Sequence, residues 1–222
     1  MRFSHGGSAK ASLVQPGSGS DASAMVLYDS LSSGNGYKAR LLLRLLAIDF
    51  HRVEVDLRRG ESRTPDFLRK NPEGRIPVLQ LDDGTHLSES NAILCYLAEG
   101  TSWLPQARLA RAQVLQWMFW EQYSHEPNIA TVRHWLLHDG VPDEKLHERK
   151  RELGIRALSV MESHLDGRAY FVGDACTVAD LALYAYTHVA EEGGFSLAGY
   201  PRIRAWLDRV RDRPRFTRIT EP

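Results

Sequence analysis

The chain has 222 residues, of which 43% are hydrophobic and 25% are charged, a composition typical of a globular protein with a buried core. Its 28 Lys and Arg residues balance its 28 Asp and Glu residues, so its net charge favours neither a nucleic-acid partner nor an anionic membrane surface. Aliphatic runs such as Leu41–Leu43 are far too short for a membrane span, and two cysteines are too few for a disulfide framework. These features predict a cytoplasmic protein.

The first 24 residues have the composition of a segment outside the folded part. They are rich in Gly and Ser, and their apolar pair, Leu13-Val14, is much shorter than the hydrophobic core of a signal peptide. We expect residues 1–24 to be a disordered tail or a leader, and Met25 to be the natural start of the protein.

A strand, a turn and an amphipathic helix are predicted first. Residues 26–28 are apolar and precede the turn-prone segment 30–36. Apolar side chains then recur at helical spacing in Tyr37, Leu41 and Leu45. The basic positions lie elsewhere around the helix, away from the apolar face: Lys38, Arg40, Arg44.

Two further strands and two helices follow. Alternating apolar residues predict a second strand over 53–57, and Thr64-Pro65 forms the start of a helix that extends to about Lys70. A third strand over 76–81 enters a hairpin through the turn at 82–84. The next helix extends from about Ser90 to Glu99 and ends before Gly100.

Beyond Gly100 the sequence predicts only helices. A strongly apolar helix covers 109–123, and apolar stripes at helical spacing indicate others around Leu158, Leu181 and Trp206. The element order is therefore βαβαββα over residues 25–103, followed by an all-helical domain over residues 107–222.

One nucleotide-binding fingerprint can be rejected. Gly34, Gly36 and Ala39 fit the G-x-G-x-x-A pattern between a strand and a helix, and Asp56 follows the next strand. The chain has too few strands for a Rossmann sheet, however. Two of them form an antiparallel hairpin, and Pro77 falls within the third.

The same element order resembles a thioredoxin-like domain joined to a helical domain, as in the cytosolic glutathione S-transferase family. The resemblance extends from Met25 to about Phe216 and depends on several motifs: SGNGYK at 33–38, NPEGRIP at 71–77, Glu89-Ser90, and TVAD at 177–180. The first motif is similar to that of bacterial nu-like members, and its Ser matches the zeta and tau classes. QWMFW at 116–120 also resembles a nu-like segment.

The resemblance implies a glutathione site. The proline at the position of Pro77 is cis in the family, which would free the backbone of Ile76 to pair with the cysteinyl part of glutathione. The start of the helix at Glu89-Ser90 would bind the γ-glutamyl group. Two basic residues would meet the glycyl carboxylate: Arg75 and, with a looser alignment, Arg63.

The resemblance also implies how the thiol is activated. A free thiol has a pKa near ~8.5, and lowering this pKa by about two units requires roughly 2.7 kcal/mol. Ser33, with Asn35 assisting, stands where hydrogen-bond donors to the thiolate belong. Tyr28 is near, but not securely at, the position of the catalytic Tyr of mammalian classes. Gly34 replaces the family's Pro, which leaves the subclass open.

The second substrate would bind against the helical domain. Tyr123 and Arg133 are the candidates for the wall of this electrophile pocket. Most of the aromatic residues of this region are expected in the core: Trp117, Phe119, Trp120, Trp135. Asp180 is expected to cap the helix that begins after Thr177.

The remaining candidate groups have structural explanations. Cys95 lies in an apolar helix and is expected to pack in the core, whereas Cys176 lies in a polar loop and is a minor candidate for redox chemistry. The His134–His138 and Glu121–His125 spacings are typical of polar helix faces. No metal site is expected.

The resemblance therefore implies a homodimeric glutathione transferase, with glutathione as co-substrate, a small electrophile as second substrate and no tightly bound cofactor. One alternative is glutathione-dependent disulfide reduction, in which glutathione thiols, rather than protein cysteines, carry the exchange. Another is a glutathione-transferase-like binding or regulatory protein without catalytic activity.

Overall fold

The structure, a computed structural model, describes residues 25–222, so the predicted tail at 1–24 lies outside the described residues. The described chain begins with a four-stranded sheet of order β2-β1-β3-β4. β1 is parallel to β2 and antiparallel to β3, and β3 pairs antiparallel with β4. The strands are β1 Met25–Asp29, β2 Phe50–Glu54, β3 Val78–Gln80 and β4 His86–Ser88.

Three helices accompany the sheet, and the local signals in the sequence explain where they begin. Thr64 caps α2 with Pro65 in the first turn, as predicted, and Ser33 caps α1. The turn at 82–84 joins β3 to β4, which also agrees with the prediction. The helices are α1 Gly34–Leu45, α2 Pro65–Lys70 and α3 Ser90–Ala98.

The predicted position of the second strand is wrong by about three residues. β2 ends at Glu54, and Val55 donates its N–H to Asp29 as the last link with β1. The Asp56 carboxylate then accepts the N–H groups of Arg58 and Arg59 and bends the chain into a turn. Leu57, predicted on the apolar face, is therefore exposed.

The prediction that the basic residues of α1 lie away from its apolar face is wrong for two of the three, since only Arg44 is exposed. Lys38 and Arg40 are fully buried, because α1 packs against α3 on one side and α7 on another. Each cation has an acidic partner: Lys38 pairs with Glu121 and Glu126, and Arg40 pairs with Asp29. Burial of these charges is possible only because they are paired.

The rest of the described chain is helical. The helices are α4 Arg108–Trp120, α5 Glu126–His134, α6 Glu144–His164, α7 Val178–Thr187 and α8 Pro201–Arg211. Two π-helical turns, Glu121–His125 and Trp135–Asp139, flank α5. The predicted apolar stripes are confirmed, since Leu158, Leu181 and Trp206 are buried.

One continuous apolar core joins the sheet half and the helical half. It contains Leu41 and Leu94 from the first half together with Leu183 and Trp206 from the second. Asp180 is the polar anchor of this core. Its carboxylate accepts the N–H of Thr177, as the capping prediction requires, and also the Trp206 Nε1–H. The domain boundaries near 103 and 107 stay a prediction.

Phe119, which was predicted in the core, and Tyr123, which was predicted for the electrophile pocket, both lie on the surface. Phe119 and Tyr123 are 70% and 87% exposed, respectively. Both lie on the side of α4 and of the following π turn that faces away from the core, whereas Trp117 and Trp120 pack against it. The prediction for Phe119 is wrong because its position falls on the face of the helix opposite to the core.

The C-terminal segment crosses back to α1. Tyr37 Oη donates to the carbonyl of Thr217 at 2.6 Å, and Arg40 Nη2 donates to the carbonyl of Ile219 at 2.9 Å. Residues 217–219 thus complete the hydrogen bonding of a helix near the other end of the described chain. Among residues 25–222, no helix has the length and apolar character required to cross a membrane.

Candidate functional site

A cavity of about 890 Å³ lies between the sheet half and the helical half. Four predicted glutathione residues line it from the first half: Ser33, Arg63, Arg75, Ile76. Arg133, predicted for the electrophile pocket, lines it from α5. The fold therefore brings these five residues to one cavity from four separate segments of the sequence.

Ser33 is placed at the cavity by the start of α1. Its Oγ accepts the N–H of Gly36 at 3.1 Å, which is the usual bond of a helix cap. This bond uses a lone pair of the hydroxyl and leaves its hydrogen free to donate. The hydroxyl also lies at the helix N-terminus, where the partial positive charge favours an anion.

Asn35 lies two residues further along and faces the helical half. Its Nδ2 donates to Glu126 Oε1 at 2.6 Å, and its Oδ1 accepts the Ser90 hydroxyl at 3.0 Å. Ser90 is buried at the start of α3. Asn35, Glu89 and Ser90 are not among the described residues that line the cavity.

The backbone at Ile76 and Glu89 has two special conformations. The Ile76–Pro77 peptide bond is cis, as the resemblance implied. Glu89, which precedes α3, has φ +68°, a left-handed conformation that costs a non-glycine residue about 1–3 kcal/mol. Strain of this kind concentrates at functional sites, and here it occurs directly before the free N–H groups of α3.

The two candidate residues for the glycyl carboxylate differ in their surroundings. Arg63 Nη1 donates to the carbonyl of Glu73 at 2.9 Å, which holds its guanidinium beside Gly74. Arg75 has an exposed side chain, and its carbonyl accepts the Asn71 amide at 2.8 Å. The structure therefore fixes the backbone of Arg75 and leaves its side chain to solvent.

The two electrophile-pocket candidates are placed differently. Arg133 Nε pairs with Glu192 at 2.7 Å, and its Nη1 donates to the carbonyl of Ser32 at 3.3 Å, beside Ser33. Tyr123, in contrast, does not line the cavity, because the π turn directs it to solvent. The structure does not bring Tyr123 to the other candidates.

Sequence reasoning missed part of the cavity wall. His134 and His138 line the cavity together with Arg58, whose Nη2 lies 2.6 Å from His138 Nδ1. The pKa of His138 is lowered by partial burial and by the neighbouring cations. The helical spacing of His134 and His138 was visible in the sequence, but nothing in the sequence indicated that these residues line a cavity. No metal-binding cluster occurs among residues 25–222.

The sequence also contained no indication of the buried charge cluster behind Asn35, which is the largest difference between the predicted and the observed site. Lys38 Nζ lies 2.9 Å from Glu121 Oε1 and 3.3 Å from Glu126 Oε2. Burial alone would lower the pKa of Lys38, but the two carboxylates raise it. Burial raises the pKa of Glu121 to about 7, whereas Lys38 and Asn35 outweigh burial at Glu126 and lower its pKa. The prediction of a polar face at Glu121–His125 is wrong, since both side chains are buried.

Neither cysteine is placed for chemistry at the cavity. Cys176 is only 2% exposed, and burial raises the pKa of its thiol well above the usual range, so the suggested redox role is wrong. Cys95 is half-buried and packs against Met118 at the edge of the core, and burial raises its pKa also.

The family models match both halves of the chain. Residues 32–99 match the N-terminal domain of glutathione S-transferases, and residues 118–214 match their C-terminal domain. The chain belongs to the glutathione S-transferase family, and its fold is the thioredoxin-like domain followed by a helical domain that the sequence predicts.

Individual relatives agree with this assignment. The chain is 34% identical to "Glutathione S-transferase 3" of Zea mays over 202 residues, which cover 86% of this chain and 90% of that one. It is 32% identical to "Disulfide-bond oxidoreductase YfcG" of Escherichia coli, with 81% and 87% covered. A crystal structure of a glutathione S-transferase from Pseudomonas fluorescens superposes with a TM-score of 0.86 at 49% identity, covering 89% of this chain and 99% of that one.

Proposed function

We propose that this chain is a glutathione transferase that stabilises the thiolate of glutathione for attack on a small electrophile. The observation that carries the proposal is the position of Ser33. Its hydroxyl, with a hydrogen free to donate, lines the same cavity as Ile76, which precedes the cis proline. A thiol whose backbone pairs with Ile76 would lie in that cavity.

The binding of the tripeptide follows from the backbone around the cavity. Within residues 25–222, Ile76 forms no backbone pair in the sheet, so its N–H and C=O can pair with the cysteinyl residue. The N–H groups at the start of α3, beginning with Ser90, would bind the γ-glutamyl carboxylate, with Glu89 beside its ammonium. Arg75, assisted by Arg63, would meet the glycyl carboxylate.

The chemistry requires only that the thiolate be stabilised and the electrophile held. Ser33 donates to the sulfur, Asn35 assists, and the N-terminus of α1 adds a favourable field. The thiol proton leaves to solvent, the sulfur forms a bond to carbon, and the leaving group departs with its electron pair, or a conjugated acceptor takes up a proton. Arg133 would line the electrophile side.

The first experiment compares Ser33→Ala with Ser32→Ala. A hydrogen bond to a charged group contributes about 1.5–3 kcal/mol, so Ser33→Ala should raise the pKa of the bound thiol by about one to two units. Turnover of a chloronitrobenzene at neutral pH should fall about tenfold or more. Ser32→Ala removes an exposed hydroxyl one residue away and should change neither quantity.

The decisive controls are glutathione binding and the pH profile. Calorimetry should show that Ser33→Ala still binds glutathione, because Ile76 and the start of α3 are intact. Equal thiol pKa values in Ser33→Ala and the unaltered protein would refute the role of Ser33. Absence of glutathione binding by the unaltered protein would refute the function itself and leave a non-catalytic binding protein.

A second reaction, glutathione-dependent disulfide reduction, is favoured by the similarity to "Disulfide-bond oxidoreductase YfcG". The two cysteines of this chain are unsuited to the exchange, so one glutathione thiolate would attack the disulfide and a second would resolve the mixed disulfide. The products are two thiols and oxidised glutathione. Turnover of a small disulfide faster than of a chloronitrobenzene would select this reaction.

A further inference from the structure

Four polar side chains behind the cavity form a closed ring of hydrogen bonds. Lys38 Nζ contacts Ser90 Oγ at 3.5 Å, and Ser90 Oγ contacts Asn35 Oδ1 at 3.0 Å. Asn35 Nδ2 contacts Glu126 Oε1 at 2.6 Å, and Glu126 Oε2 returns to Lys38 Nζ at 3.3 Å. We call these four side chains the polar ring.

The chemistry of the two charged members sets the direction of every bond in the polar ring. An ammonium can only donate and an ionised carboxylate can only accept. The Ser90 hydroxyl therefore accepts from Lys38 and gives its hydrogen to Asn35. Asn35, which receives that hydrogen on Oδ1, must turn Nδ2 toward Glu126, so the ring permits one orientation of its amide.

This orientation decides what Asn35 can offer to a ligand. The carbonyl oxygen of its amide is used by Ser90, and one N–H is used by Glu126. The second N–H is the group that remains. Asn35 is half-buried and directly follows Ser33 and Gly34, which line the cavity. A flipped amide would instead present an oxygen, which repels an anionic sulfur.

The charges are held where water cannot compete with the ring. The Lys38 side chain is fully buried, and that of Glu126 is 18% exposed. Glu121 gives Lys38 a second carboxylate, so the ammonium stays charged in spite of its burial. In these surroundings a hydrogen bond is stronger than at the surface. An Asn35 amide in the flipped orientation would therefore cost more free energy here than it would in water.

The π turn after α4 explains how two carboxylates of the helical half reach Lys38. Glu121 and Glu126 are five residues apart, a spacing that an α-helix would place on different sides. The π turn Glu121–His125, with its i to i+5 bonding, brings both carboxylates to Lys38. Such turns frequently occur at functional sites.

We propose that Lys38 and Glu126 are positioning residues of the glutathione site, which act through the polar ring to present an Asn35 N–H, rather than its carbonyl, to the glutathione sulfur. The inference rests on the proposed function and deepens it. It assigns a role to two residues that touch neither glutathione nor the electrophile.

The test measures the pKa of the bound glutathione thiol, from the ultraviolet absorbance of the thiolate, in Glu126→Leu, Asn35→Ala and the double variant. Glu126→Leu should raise this pKa by about one unit, a tenfold loss of thiolate at neutral pH. The same substitution in the Asn35→Ala background should raise it no further, because the residue through which Glu126 acts is already absent.

Glu162→Leu is the matched control. Glu162 is also a largely buried carboxylate with an arginine partner, at 12% exposure, and it accepts two backbone N–H groups at the start of α8, in the helical half. The substitution Glu162→Leu should leave the thiol pKa unchanged even if it lowers the stability of the fold. Glu126→Gln, which keeps an oxygen acceptor, should show a smaller change than Glu126→Leu, and Lys38→Met should reproduce the change.

Four outcomes would overturn the proposal. They are additive effects of Glu126→Leu and Asn35→Ala, an unchanged thiol pKa in Glu126→Leu, a change in Glu162→Leu equal to that in Glu126→Leu, and no effect of Asn35→Ala. In the last case, a raised thiol pKa in Ser33→Ala would still support the transferase function, while the role of the polar ring would be refuted. No glutathione binding by the unaltered protein would refute both.

Discussion

At the scale of single residues, His125 has the clearest link to stability. Its Nε2 lies 2.9 Å from Thr187 Oγ1, and that hydroxyl already gives its hydrogen to the carbonyl of Leu183. His125 must therefore donate from Nε2, which leaves Nδ1 as a buried acceptor without a partner among residues 25–222. Burial, with a contribution from Lys38, lowers the pKa of His125 to about 3.

This pKa predicts acid sensitivity. An unfolded His gains a proton below about pH 6.5, whereas the folded form holds the neutral ring down to about pH 3. The stabilisation is complete above pH 6.5 and is lost by about 1.4 kcal/mol per unit as the pH falls toward 3. His125→Gln, which keeps a donor and cannot titrate, should therefore lose about 2 kcal/mol less than the unaltered protein between pH 7 and pH 5.

Urea unfolding of both proteins at pH 7 and pH 5 measures this difference. The exposed His51→Gln is the control, and its stability should follow that of the unaltered protein. Parallel losses in His125→Gln and the unaltered protein would contradict the assignment of a neutral buried ring.

At the scale of elements, the first turn of α1 depends on the absence of a side chain at residue 36. A Cβ on Gly36 would overlap the Asp29 carboxylate, and Asp29 is the buried partner of Arg40 at 2.7 Å. Asp29 lies at the end of β1, so the sheet and α1 meet at this contact. Gly36 does not have a positive φ. Glycine is therefore required here for the close approach of Asp29 and not for the backbone conformation.

Gly36→Ala should therefore be severely destabilising. The methyl group must push the Asp29 carboxylate away from Arg40, and breaking a buried ion pair costs about 3–5 kcal/mol. Thermal unfolding compares this variant with Gly199→Ala, where a Cβ would meet no atom and the backbone is not left-handed. Equal melting temperatures of the two variants would show that Asp29 can move without cost.

The sequence predicts those elements whose signals are local. The Thr64-Pro65 helix start and the 82–84 turn both depend on neighbouring residues, and both are confirmed. The burial of Lys38 and Arg40 depends on partners 83 and 11 residues away, respectively, which no helical periodicity contains. Charged residues on a helix predict a solvated face only where no second layer covers that face.

The same limit applies to the site. Motif resemblance supplied Ser33, Arg75 and Ile76, which share the cavity. Arg58, His134 and His138 lacked a motif. Their place in the wall follows from how the turn after β2 meets α5 and the second π turn. The position of Tyr123 was mistaken because the first π turn shifts the face that each later residue presents.

At the scale of the whole molecule, large exposed aromatic side chains occur on α3, on α4 and on the π turn that follows α4. Phe119, Tyr123 and Tyr96 are all large and exposed, and α3 packs beside α4 through Cys95 and Met118. Exposed apolar side chains that form one patch usually mark an interaction surface. We propose that a second copy of the chain covers it, in accordance with the homodimer that the family resemblance implies.

Phe119→Glu combined with Tyr123→Glu should therefore yield a monomer. Each chain would bring two new carboxylates into the interface, so a symmetric dimer would bury four. Each of them would lack a partner of opposite charge. Sedimentation of the unaltered protein should give a dimer, as should Leu146→Glu, which alters an exposed apolar residue on α6. A monomeric unaltered protein would refute the proposal, and a dimeric double variant would place the interface elsewhere.

The C-terminal segment imposes an order on folding. The side chains of Tyr37 and Arg40 are buried, and they find acceptors in the carbonyls of Thr217 and Ile219, 180 and 179 residues later in the chain. Chains generally fold from the N-terminus as they leave the ribosome, so α1 emerges long before these acceptors exist. The sheet half can collapse early, but its first helix gains its last hydrogen bonds only after synthesis has reached residue 219.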